Sequence, residues 1–167
     1  MINATMCFLR KANRTLLLYR HRGEEDIHNG FYVPPGGRTE RGERGIDSIL
    51  REFREETGLT LVKPRLKVIA TFYNEGRKFE GQKALVDDWC VEVYEANEFT
   101  GKLRKEHPKA KPLWVPDAEL PNKRIYPGDR KILELLTQPG VFQVLVKYNQ
   151  EELVRFDYLR VDQFSHE

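Results

Sequence analysis

PPGGRTERGERGIDSILREFREETGL, residues 34–59, is the stretch on which the fold turns. Two prolines followed by two glycines can continue neither a helix nor an interior strand, so Pro34-Pro35-Gly36-Gly37 predicts a sharp, fixed turn. Beyond it, Ile46, Ile49, Leu50 and Phe53 fall at i, i+3, i+4 and i+7, one apolar stripe at helical spacing. Gly58 is placed to cap the C-terminus of that helix. With Ile46 at zero, the stripe lies between about 300° and about 40°, and Glu52, Glu55 and Glu56 fall beside it near about 240°, about 180° and about 280°. Three carboxylates within two turns repel unless a positive group sits among them. Arg51 can pair with Glu55 at i,i+4 and with Asp47 one turn earlier, which leaves Glu52 and Glu56 converging without a partner.

Such a cluster reads either as a solvated acidic face or as a site for a hard cation. Oxygen donors suit Mg²⁺ or Mn²⁺, which bind through a few carboxylates and gain their remaining ligands from substrate phosphates. Two features favour the cation. The cluster lies in the C-terminal half of the helix, where the macrodipole disfavours negative charge. The rigid turn before the helix is also placed to present a backbone carbonyl to the same ion.

Outward from this stretch, residues 5–9 and 15–19 are short apolar runs around the polar turn Lys11-Ala12-Asn13-Arg14, the pattern of a β-hairpin. Residues 66–73 and 89–94 read as strands joined by a polar, glycine-containing loop over 74–83, and Leu113-Trp114-Val115 as a short strand. Residues 129–137 carry a second helical pattern stopped by Pro139-Gly140, and residues 141–148 and 153–161 form a closing hairpin. The order β, β, helix, β, β, helix, β, β predicts one α/β (α+β) domain over residues 1–167, with a mixed sheet between helices.

Composition narrows the classes. At 167 residues, 40% hydrophobic and 32% charged, the chain can bury a core, which excludes a disordered tail or a fibre. Its net charge of +2 does not mark a nucleic-acid binder, and no stable nucleic-acid partner is expected. No apolar run approaches the roughly 20 residues that span a bilayer, so no membrane partner is expected either. Cys7 and Cys90 sit in apolar stretches behind a start without a signal pattern, and read as buried, reduced thiols of a cytoplasmic protein. His21, His28, His107 and His166 have no ligand spacing. Oligomeric state has no signature in this pattern.

Gly37, Glu43 and then Arg51-Glu52-Phe53-Arg54-Glu55-Glu56-Thr57-Gly58-Leu59 match all nine defined positions of the Nudix box over 23 residues. The chain resembles the MutT branch of that family, and more particularly the oxidised purine nucleoside triphosphatases. The resemblance implies a Nudix fold and Mg²⁺-dependent hydrolysis of a nucleoside triphosphate, such as 8-oxo-dGTP, to the monophosphate and pyrophosphate. It assigns the metal to Glu52, Glu55, Glu56 and the carbonyl of Gly36, and the attacking water to either Glu52 or Glu56. Arg51 would orient the glutamates, and Glu43 would support the loop by a salt bridge.

Arg20 takes the place of a phosphate contact. Tyr126, ahead of Pro127, and Asp129 take those of base contacts. The chain departs from that group in three places: Val33 stands for an asparagine, Gly128 for a first aspartate, and Lys109 for an additional metal-binding glutamate. The basic run 102–111 is either a polyphosphate-attracting patch or a solvated loop. Two alternatives stay open: another nucleoside diphosphate derivative as substrate (ADP-ribose, a dinucleoside polyphosphate or a nucleotide sugar), or an inactive nucleotide sensor.

Overall fold

The chain begins with the expected hairpin. β1 (Ile2–Lys11) and β2 (Arg14–Arg20) are joined by Ala12 and Asn13. Both turn residues are left-handed, at φ 52° and 59°, the two-residue geometry whose twist matches the flanking strands. The computed structural model describes residues 1–21, 29–75, 88–108 and 110–161. The expected loop over 74–83 lies largely outside them, as do His28, Lys109 and His166. β3 (Tyr32–Val33), β4 (Gly36–Arg38), α1 (Gly45–Thr57), β5 (Leu59–Val62), β6 (Arg65–Asn74) and β7 (Trp89–Ala96) follow. Then come β8 (Glu98–Gly101), β9 (Ala110–Pro116), a 3₁₀ turn (Asp117–Asn122), α2 (Pro127–Leu135), β10 (Phe142–Asn149) and β11 (Glu152–Arg160).

The main sheet runs β11-β10-β6-β7-β1-β2-β3, with β4 also on β1 and β9 also on β2. It is mixed as expected: β1 and β7 are parallel, β6 and β10 are parallel, and the hairpin pairings are antiparallel. β1 shows why its apolar run is continuous. Ala4, Met6 and Phe8 enter one core layer with Val91, Val93 and the α2 residues Ile132 and Leu135. Cys7 and Leu9 enter the other with Leu16 and the α1 residues Ile49 and Phe53. A strand covered by a layer on each face loses the alternation of a half-exposed one. Burying Ile49 and Phe53 contributes roughly 1.5–3 kcal/mol each.

α1 ends where its sequence says. Gly58 is left-handed at φ 79° and its N–H donates to the Arg54 carbonyl at 2.9 Å. Three departures are informative. Gly36 and Gly37 are not only a turn: they form β4 and pair with Met6 and Thr5 of β1. A Cβ on Gly36 would lie 2.7 Å from the Met6 Cα, so only glycine lets the two backbones approach this closely. β5 and β8 form a separate two-stranded sheet that the sequence pattern does not announce. Cys7 is fully buried, whereas Cys90 is only half-buried. Among the described residues, no helix is long and apolar enough to cross a membrane.

Candidate active site

β1 is the frame on which the site is built. Thr5, buried in that strand, is in register with Gly37 of β4 and with Glu92 of β7. Its Oγ1 shares a 3.2 Å hydrogen bond with Oγ of Ser48, a buried residue of α1. The helix that carries the glutamates is therefore pinned beside the two glycines of β4. The Gly36 N–H donates to Oε1 of Glu56 at 2.9 Å. The Glu52 carboxyl lies against Gly37, where a Cβ would come within 2.8 Å of Oε1.

Arg51 is the hub. Its Nε and Nη2 donate to the two oxygens of Glu43 at 2.8 and 3.0 Å, a bidentate pair. Nη1 donates to Glu52 Oε1 at 2.7 Å and reaches Glu55 Oε2 at 3.5 Å, while Nη2 also donates to the Arg38 carbonyl at 3.2 Å. Hydrogen bonds from Arg51 and from the Glu40 N–H hold the Glu43 carboxyl down at about 2. Its own bonds to Glu43 and to Glu52 push the Arg51 guanidinium above its ordinary range.

Glu43, expected to support the loop by a salt bridge, makes that bridge to Arg51, and the expected pairing of Arg51 with Glu55 is present, but two expectations about partners are corrected. Asp47 does not pair with Arg51; it binds Arg44, which precedes the helix, at 2.6 and 3.1 Å. Nor are Glu52 and Glu56 without partners: Arg51 holds the first and the Gly36 amide the second.

These residues suit a hard cation by donor type, since every side-chain candidate is a carboxylate. They are not gathered at ligand spacing: among the described residues, no three carboxylate, imidazole or thiol groups stand together as a metal cluster. Arg51 and the Gly36 amide hold the oxygens that a cation would take, and Glu55 remains largely exposed.

A second group of residues lies around the start of α2. Asp129, in the first turn, is 9% exposed, and burial pushes its carboxyl up to about 7 against the opposing effect of the Arg20 charge. Arg20, the last residue of β2, is therefore close enough to act on Asp129. The Gly128 N–H donates to the Tyr148 hydroxyl at 2.8 Å, and burial together with the Asp129 charge pushes that phenol up.

Tyr126 stacks on Phe31 with ring centroids 4.1 Å apart and planes 4° from parallel. The Arg124 guanidinium lies 4.1 Å from the same Phe31 centroid. Val33 is buried in this apolar cluster beside Leu18 and Ala110. The short segment from β3 to β4 carries Val33 in this group and Gly36 in the other. Of the basic run, Lys102, Arg104, Lys105 and Lys111 are exposed, the last of them on β9.

One feature lies outside the sequence expectations. Glu92, on β7, accepts a 2.9 Å hydrogen bond from the Tyr94 hydroxyl, and its carboxylate sits against Gly45 at the start of α1. Arg44 gives that helix no side-chain cap, and Glu92 adds a second anion at its positive end beside Asp47 of the first turn. The only signal in the sequence is a charge within the apolar alternation Trp89-Cys90-Val91-Glu92-Val93-Tyr94.

Comparison with known proteins agrees with this geometry. The NUDIX domain family matches residues 2–136. An uncharacterised Nudix hydrolase of Bacillus subtilis, YvcI, is 33% identical over 132 residues, spanning 79% of this chain and 77% of its own. The oxidised purine nucleoside triphosphate hydrolase of Mus musculus is 27% identical over 165 residues, 96% of each chain. A crystal structure of a MutT protein from Bacillus halodurans superposes with a TM-score of 0.79 at 27% identity, covering 95% of this chain and 97% of that one.

Proposed function

The chain belongs to the Nudix hydrolases, and from that premise we propose that it is a Mg²⁺-dependent pyrophosphohydrolase cleaving a nucleoside triphosphate to its monophosphate and pyrophosphate. The observation that carries this reading is the convergence of Glu52, Glu55 and Glu56 on Arg51 and the Gly36–Gly37 strand. Similarity to an oxidised purine nucleoside triphosphate hydrolase over nearly the whole of both chains supports a triphosphate substrate.

Glu52, Glu55, Glu56 and the Gly36 carbonyl would hold the cation, Mg²⁺ or in its place Mn²⁺. Bound there, it supplies charge neutralisation on the diphosphate and acidity to a bound water. Glu52 or Glu56 takes the proton from the attacking water. Arg51 keeps Glu52 aimed, and Glu43 keeps Arg51 in place. Arg20 contacts the phosphates, while Tyr126 and Asp129 contact the base.

Val33 offers neither donor nor acceptor where the oxidised-purine group uses an asparagine, and Gly128 offers no carboxylate. Those two positions favour a second reading of the same chemistry: another nucleoside diphosphate derivative as substrate. An inactive sensor is the third reading, and the intact constellation around Arg51 argues against it.

The deciding experiment is chromatographic product analysis with Mg²⁺ and a panel of ordinary and oxidised deoxynucleoside triphosphates, ADP-ribose and a dinucleoside polyphosphate. Monophosphate plus pyrophosphate from a triphosphate is the expected result. Glu56→Gln should lose most of that turnover while melting like the wild type, because the amide oxygen still accepts the Gly36 N–H. Turnover confined to ADP-ribose or the dinucleotide replaces the substrate, and silence across the panel overturns the enzymatic reading.

A further inference from the structure

The main sheet ends at β11, and among the described residues no strand lies along its outer edge. The strand at the other end, β3, is two residues long, whereas β11 offers nine. A long open edge is a template for another strand unless proline, a bulge or like charges block it. β11 reads Glu152-Leu153-Val154-Arg155-Phe156-Asp157-Tyr158-Leu159-Arg160, without proline. Its pairing with β10 skips Val154, between Leu153 opposite Tyr148 and Arg155 opposite Lys147, which leaves residues 155–160 as the regularly paired segment. Val154, Tyr158 and Leu159 are 47%, 54% and 52% exposed, a concentration of large apolar side chains on one edge.

The strand is self-complementary. Laid antiparallel against itself about a two-fold axis through Phe156, Arg155 of each copy faces Asp157 of the other, within the regularly paired segment. The charges beside the axis meet their opposites, whereas an edge built to repel copies would meet its own sign. The axis is perpendicular to the sheet, so faces are kept. Phe156 and Tyr158 lie opposite Val146 and Val144, on the face of the core shared with α2. Arg155 and Asp157 lie on the other face and already bond each other along the strand, ready to exchange partners across the axis.

We propose that β11 pairs antiparallel with β11 of a second copy, joining two sheets into one across a two-fold axis at Phe156. Cyclic two-fold dimers are the commonest assemblies of soluble proteins, and strand addition supplies main-chain hydrogen bonds in them. The two Arg–Asp pairs are solvent-exposed; they set register more than they supply affinity.

Sedimentation velocity from nanomolar to high-micromolar chain tests this. The wild type should sediment at twice the mass of one chain in the upper part of the range. Arg155→Asp places like charges opposite each other twice and should raise the dimer dissociation constant at least about tenfold. Asp157→Arg should do the same, and the double exchange Arg155→Asp with Asp157→Arg should restore the wild-type constant. Circular dichroism must show each variant folded; should a charge reversal fail there, Tyr158→Lys carries the same expectation of dissociation. A wild type monomeric throughout the range, a dimer indifferent to the single reversals, or a double exchange that does not restore it overturns the proposal.

Discussion

Replacing Asp129 by asparagine should stabilise the protein, and more so as pH rises. Burial holds the Asp129 carboxyl near 7, against 3.8 for the free group, and the nearby Arg20 charge offsets only part of this. Between those two values the unfolded chain has released the proton and the folded chain retains it. Folding stability therefore falls as pH rises from about 4 to about 7 and levels off above that range. The gap between 3.8 and about 7 corresponds to a ceiling of about 4 kcal/mol. Asparagine keeps the shape of the neutral acid and has no proton to lose. Asp129→Asn should match the wild type near pH 4 and exceed its stability by up to about 4 kcal/mol at pH 8. Urea unfolding at a series of pH values measures this directly. A difference that stays flat from pH 4 to pH 8, or that grows in favour of the wild type, would refute the assignment of a buried, proton-retaining carboxyl. The same variant also probes the pocket: if Asp129 contacts the base, KM should rise while kcat changes little.

The two glycines of β4 should separate fold from site. A Cβ at Gly36 meets the backbone of β1, with the Met6 Cα 2.7 Å away, so Gly36→Ala should destabilise by about 1–3 kcal/mol or more. A Cβ at Gly37 meets the carboxyl of Glu52, a side-chain end that can swing aside. Gly37→Ala should therefore melt within a few degrees of the wild type while losing turnover; a large fall in melting temperature with normal activity would contradict it. Arg51→Lys removes the fork that binds Glu43 and Glu52 together and should lower activity about 10–100-fold. That loss should appear mainly as a higher Mg²⁺ requirement, and Glu43→Gln should reproduce it. An unchanged metal dependence in both variants would remove Arg51 from its positioning role.

The parts of this molecule legible from sequence are those fixed by local periodicity. Ile46, Ile49, Leu50 and Phe53 announce α1, Gly58 its end, and the two left-handed residues of the first turn lie within the polar segment that predicts a hairpin. β5 and β8 escape because each is four residues long and gains its definition only from the other. The partners of Arg51 escape for a related reason. Helical spacing lists neighbours on the same helix, so it finds Glu55 and proposes Asp47. The strongest partner, Glu43, lies on the preceding loop, and Arg44 from that same loop takes Asp47. The burial of Asp129 is likewise invisible to a local reading, because it depends on how β2 and β10 close around the first turn of α2.

What ties the legible and illegible parts together is that the glutamate pattern belongs to α1 while its orientation is set from β1. Thr5 is where the two meet: it bonds Ser48 on the helix and lies in register with Gly37 on one side and Glu92 on the other. Glu92 in turn sits at the start of α1, and Glu52 and Glu56 lie against the glycines of β4. A helix held in this way at its start and along its flank has little freedom to slide or rotate. The changes that the proposed cation would require therefore fall on the side chains of Glu52, Glu55 and Glu56, whose oxygens rest on exchangeable donors. The positions that govern the candidate chemistry thus include small and neutral residues, Thr5, Gly36, Gly37, Gly45 and Ser48, whose contribution is to let backbones and carboxylates approach each other.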